Sequence, residues 1–105
     1  LKVANVFHAG DGNMHPLILY DANAPGELEK AEALGADILT FCVEVGGCLT
    51  GEHGVGVEKR DLMNVQYAPA DLEAQLRVKD VFDPRWLLNP SKVFPLASTE
   101  ARRAA

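Results

Sequence analysis

Two short apolar runs open the chain, "KVANVFH" at residues 2–8 and "HPLILYD" at 15–21, with "AGDGNM" between them. Both have strand length and are rich in Val, Ile, Leu, Phe and Tyr, so they predict an antiparallel hairpin over residues 2–8 and 15–20. Gly10 and Gly12 can take positive φ in the reversal, and Asp11 and Asn13 tolerate it or bond back to the turn. Pro16 offers no N–H and belongs where no ladder bond is needed. Beyond the loop "DANAPGE" the apolar spacing lengthens to three and four. Leu28, Ala31, Leu34, Ile38, Cys42 and Val45 share one helical face, which predicts a helix over residues 25–46. Pro25 suits its first turn, the early acids suit the helix dipole, and Gly46 and Gly47 stop it.

The second half is more broken. Residues 48–50 read as a short strand and "GEHGVG", with three glycines in six residues, as a loop. "EKRDLMNVQY" reads as a short helix. "PADLEAQLRVKDVFD" reads as another, opened by Pro69, with Leu72, Leu76, Lys79 and Phe82 on one face and Asp83-Pro84 ending it. "RWLLNPSKVFP" is extended or turn-rich, and residues 96–105, "LASTEARRAA", read as a frayed tail. The fold class is α+β, an antiparallel hairpin followed by helices. A lone two-stranded sheet is marginal, so the hairpin is expected to pair further strands, from a longer chain or from a second copy. The first residue is Leu1, which fits a piece of a longer protein.

Composition narrows the classes. With 105 residues the chain has room for one domain, and its 48% hydrophobic content argues against wholesale disorder. A formal net charge of -5 leaves no electrostatic footprint for nucleic acid. No apolar run reaches the roughly 18–20 residues of a membrane span. Cys42 and Cys48 form no metal motif or disulfide framework, and a reducing, cytoplasmic setting fits them.

The chemistry starts with the histidines at the two ends of "HAGDGNMH". In one continuous strand His8 and His15, seven apart, would point to opposite faces. In a hairpin they can oppose each other with Cβ atoms about 4.5–5.5 Å apart and share a metal ion. Zinc, iron and manganese all accept imidazole. The competing reading is two turn-flanking histidines with no ligand. Glu52 lies in "TGEHGVG", where flanking glycines allow close approach, and its carboxylate would complete a His/His/Glu site with positions open for water or substrate. His53 would then point elsewhere, free as an acid or base near neutral pH. The competing reading there is a glycine-rich loop with solvated charges. Asp11 is a further possible ligand, or it and Asn13 stabilise the turn or orient a histidine. "GVGVEK" lacks the spacing of a phosphate loop. Lys59 and Arg60 read as a solvated helix face, or as cations greeting an anionic substrate.

"FHAGDGNMHP", "TGEHGVGVEK" and "FDPRWLLNPSKVF", in that order across residues 3–96, resemble the C-terminal part of the FAD-linked oxidases. The likeness is to the family of glycolate oxidase and the D-lactate dehydrogenases, within the vanillyl-alcohol oxidase superfamily. D-2-hydroxyglutarate dehydrogenase is a more distant relative. The resemblance implies that residues 1–95 are the C-terminal portion of a ferredoxin-like cap domain with a tail returning to a flavin-binding domain absent from this chain. It implies FAD and a divalent metal as cofactors, with His8, His15 and Glu52 as metal ligands and His53 as catalytic base. Asn89 and Lys92 of "LLNPSK" would lie on the flavin side. In the hydroxyglutarate enzyme an asparagine two residues beyond the second histidine helps bind substrate. Here Leu17 stands there, which suits a smaller hydroxy acid.

The implied reaction is oxidation of a 2-hydroxy acid to a 2-oxo acid by the full-length protein. The chain alone, lacking an electron acceptor, is expected to be inactive. Implied partners are the small hydroxy acid, the flavin-binding domain and other glycolate oxidase subunits, through which the protein would associate with the inner face of the membrane. The cut sheet is expected to self-associate. Two other classes stay open, a stand-alone metal-dependent hydrolase using the same three ligands and a non-catalytic oligomerisation module.

Overall fold

A computed structural model describes all of residues 1–105 and shows an α+β chain. Strand β1 (Lys2–His8) and strand β2 (Asn13–Leu19) form a two-stranded antiparallel sheet. Four helices follow: α1 (Glu27–Glu44), α2 (Met63–Gln66), α3 (Pro69–Phe82) and α4 (Leu96–Ala104).

The reversal between the strands is tighter than the spacing of the histidines suggests. A single 3-10 turn covers Ala9–Asp11, and Gly12, at φ 67°, closes it by donating its N–H to the Ala9 carbonyl at 3.2 Å. Glycine takes that left-handed conformation at no steric cost. The second strand therefore starts at Asn13, ahead of the expected start at His15, and His8 pairs with Asn13.

Helix α1 begins at Glu27, two residues after Pro25, with Gly26 left-handed at φ 81°. Its far end is a Schellman motif. Gly46, at φ 93°, donates its N–H to Val43, and the Gly47 N–H reaches back to Cys42. The strand expected at 48–50 does not form, because the Leu49 N–H is taken by the Gln66 side chain at 2.8 Å instead of a neighbouring strand. That bond seats Leu49 in a small core with Met63 and Leu72, against which Leu39, Val43, Val55, Leu62 and Tyr67 pack.

Leu76, Trp86 and Phe94 form a second core. The buried residues of α3 are Leu72 and Leu76, half-buried Lys79 and buried Asp83 continue that row, and Phe82 is not part of it. It is 81% exposed beside Val78 and Val81, contrary to the expected helix face. Asp83 is buried and takes hydrogen bonds from Lys79 Nζ (2.8 Å) and from the backbone N–H groups of Leu87 and Leu88 (both 3.0 Å). It turns the chain back, which lets Trp86 cover Leu76.

The expected frayed tail is ordered instead. Residues 96–104 form α4, Thr99 is buried, and Arg102 pairs with Glu73 (2.8 Å) and Asp80 (3.4 Å) of α3. Polar composition hid this because the ordering contacts are tertiary ion pairs. The hairpin has little cover. Every residue of β1 is exposed, including Val3, Val6 and Phe7, as are Met14, Leu17 and Leu19 of β2. Helix α1 meets the sheet where Ile18 approaches Gly35. No helix is long and apolar enough to cross a membrane.

Candidate metal centre

Cross-strand pairing sorts the hairpin's side chains onto two faces. His8 is paired with Asn13, and His15 with Val6, so all four share one face. The two histidines are thus diagonal neighbours and not directly opposed as the sequence suggested. Diagonal backbone separations are about 7–8 Å, still within reach of imidazole rings. The rings meet edge to face with centroids 5.3 Å apart.

Glu52 is brought to this face by the loop after Leu49. The loop is closed by the Gly54 N–H donating to Thr50 Oγ1 at 2.8 Å. Glu52 Oε1 then lies 2.7 Å from His15 Nε2 and 3.4 Å from His8 Nε2. One ligand atom from each of the three residues falls within 4.8 Å of the others. Two imidazoles and one carboxylate are a donor set that suits zinc, iron or manganese.

The contact between His15 and Glu52 tests that fit. His15 Nε2 is shut off from solvent and has no hydrogen-bond partner, although Glu52 Oε1 is only 2.7 Å away. A hydrogen on that nitrogen would lie off the line to the oxygen. A contact this short calls for positive charge between the two groups, which a proton on the imidazole or a cation held by both would supply. At Glu52, desolvation raises the carboxyl pKa, but the charge of His8, the Asn13 hydrogen bond and His15 outweigh it and hold the group below its usual range.

The family model described as FAD linked oxidases, C-terminal domain, matches residues 1–93. The chain belongs to that family. It is 59% identical over 95 residues to the glycolate oxidase subunit GlcD of Escherichia coli strain K12, covering 90% of this chain and 19% of the relative. The GlcD subunit of Bacillus subtilis strain 168 is 38% identical over 94 residues, 90% of this chain and 20% of the relative. A probable mitochondrial D-lactate dehydrogenase of Danio rerio is 35% identical over 96 residues, 91% of this chain and 19% of the relative. This chain spans about a fifth of the length of these relatives. No solved structure matches it.

Within this FAD linked oxidase C-terminal domain, His53 stands beside the cluster without joining it. Its ring centroid is 5.4 Å from that of His15, at a 49° tilt. Residues 53–59 line an open concavity next to it. Asp11 stays in the turn and is not among the three convergent side chains. Asn13 orients Glu52, not a histidine, donating Nδ2–H to Oε1 at 3.0 Å. Sequence reasoning missed that contact, and its one signal there is the glycine preceding Glu52.

The segment from Asp83 to Phe94 buttresses the loop. The Val93 N–H donates to the Gly56 carbonyl at 2.8 Å, and Arg60 Nη1 donates to the Ser91 carbonyl. Arg60 and Lys59 are half-buried, and Arg60 binds backbone where a solvated helix face was expected. Trp86, Asn89, Ser91 and Val93 all have positive φ. Asn89 and Lys92 are exposed on these turns, and neither side chain forms a hydrogen bond or ion pair within the chain. Both remain available to a group outside it. They do not contact the histidine cluster.

Proposed function

We propose that this chain is the C-terminal part of an FAD-dependent 2-hydroxy acid dehydrogenase, acting on a small acid such as glycolate or D-lactate. In it the chain contributes a divalent-metal site and a base. The observation that carries this reading is the convergence of His8, His15 and Glu52, with Glu52 Oε1 2.7 Å from His15 Nε2, in a chain of the FAD linked oxidase family. The names of its glycolate oxidase and D-lactate dehydrogenase relatives support the substrate class.

Oxidising a 2-hydroxy acid to a 2-oxo acid removes a hydride from carbon and a proton from oxygen. This chain handles the proton. When bound, the metal supplies Lewis acidity towards the substrate's oxygens, and FAD supplies the electron acceptor. His8, His15 and Glu52 would hold the metal. His53, outside the ligand set, takes the hydroxyl proton on a ring nitrogen. Leu17 shares the face of His15 and offers no polar group, so the site accepts a short acid and gives no grip to a second carboxylate. Asn89 and Lys92 face the flavin side. The exposed β1 edge and the apolar residues of the hairpin are covered by the rest of the full-length protein, and alone the chain self-associates and has no turnover.

Anaerobic mixing of the full-length flavoprotein with glycolate or D-lactate tests this reading. Flavin absorbance is expected to bleach, to stop bleaching after chelation and to bleach again when metal is restored. Bleaching that chelation leaves untouched would remove the metal from the reaction. Ester or amide hydrolysis without flavin would favour a stand-alone hydrolase.

A further inference from the structure

We propose that Asn13 is a positioning residue that fixes which oxygen of Glu52 faces the two imidazoles, and that Gly51 is glycine in order to seat it. The proposal rests on the metal reading above. A glutamate side chain has three rotors and two equivalent oxygens, so a ligand on an exposed loop loses considerable freedom on binding. Here one oxygen does everything. Oε1 accepts the Asn13 Nδ2–H at 3.0 Å, lies 2.7 Å from His15 Nε2 and lies 3.4 Å from His8 Nε2. The donor breaks the symmetry of the carboxylate before any metal arrives.

Asn13 can do this because of the hairpin register. Paired with His8, it starts β2 on the face that carries both histidines. Its amide has a cost on the loop side. A Cβ on residue 51 would come 2.8 Å from Asn13 Cγ and 3.2 Å from its Nδ2, and closer still to its Oδ1. Gly51 is not among the positive-φ glycines, so its backbone accepts alanine. What excludes a side chain at residue 51 is the asparagine. The two residues, 38 positions apart in the chain, form one device.

The test is Zn²⁺ affinity of the full-length protein, measured by competition with a zinc indicator, for the wild type, Asn13→Ala, Gly51→Ala and the double variant. Partners that orient a metal ligand typically contribute about 10–100-fold in affinity, and each single variant is expected to lose that much. The double variant is expected to match Asn13→Ala, because removing the amide empties the space that the alanine at residue 51 fills. Thermal midpoints of the metal-free proteins are expected to be unchanged. Wild-type affinity in Asn13→Ala overturns the proposal. So do losses that multiply in the double variant, which would mark two independent structural defects. A wild type that binds no Zn²⁺ overturns both this proposal and the metal reading, whereas tight wild-type binding with an indifferent Asn13 overturns this proposal alone.

Discussion

The backbone N–H of Val93 donates to the carbonyl of Gly56 at 2.8 Å, tying the C-terminal turns to the loop that carries Glu52 and His53. Val93 holds φ 72°, and the Phe94 N–H bonds to the Lys92 carbonyl across it, making a strained three-residue turn. A β-branched residue in that region costs about 1–3 kcal/mol and persists only where its surroundings enforce it. Val93→Pro removes the donor and cannot adopt the angle. It is expected to destabilise by about 3 kcal/mol or more and to lower metal content and turnover in the full-length protein. Val93→Gly keeps the donor and is expected to retain both. Normal turnover in Val93→Pro would show that the tie does not hold the loop.

Trp86 anchors the same turns. It is buried between Leu76 and Phe94, its ring centroid 6.1 Å from that of Phe94, and its indole N–H donates to Asp80 Oδ1 at 2.6 Å. Lys79 Nζ sits 4.9 Å from the ring centre. Trp86→Ala empties the middle of this core and is expected to cost about 3–5 kcal/mol in a denaturant titration. A loss under about 1 kcal/mol would mean the second core is not a folding unit.

Much of this arrangement is legible in the residues and some is not. Short apolar runs mark both strands, and three- and four-residue spacing marks α1 and α3, because local patterning shows in sequence even where it misplaces a residue such as Phe82. The register does not show. It depends on a turn that uses only residues 9–12, and this moves His8 opposite Asn13. The His/His/Glu set can be proposed since its residue types are few. The Asn13–Glu52 bond spans two distant segments and leaves only Gly51 as its trace. Helix α4 reads as a frayed tail in sequence because Arg102 finds its carboxylates on another helix.

Asp83 is expected to make the fold sensitive to acid. The hydrogen bond from Lys79 lowers its pKa; burial opposes this, and the Leu87 and Leu88 N–H groups and the Lys79 charge add to the lowering. A carboxyl depressed in the folded state stabilises it above the unfolded value, and that stabilisation is lost as pH falls through the folded value. Denaturant midpoints are therefore expected to hold near neutral pH and to decline below about pH 4. Asp83→Asn should start lower and flatten that decline. An identical acid profile in the variant would place the sensitivity elsewhere.

His53 is near the cluster yet outside it, with its ring centroid 5.4 Å from that of His15. His53→Ala is expected to lower turnover about 100- to 10,000-fold, the usual contribution of a positioned base, while metal content stays normal. Full turnover in that variant would eliminate His53 as the base. Loss of metal would make it a ligand.

Whether the convergent side chains of His8, His15 and Glu52 hold one metal ion is tested most directly by elemental analysis of the full-length protein and its His15→Ala variant, each purified in parallel. One divalent ion per chain is expected in the wild type and almost none in the variant, with the flavin content of the two equal. Equal metal in both would contradict it.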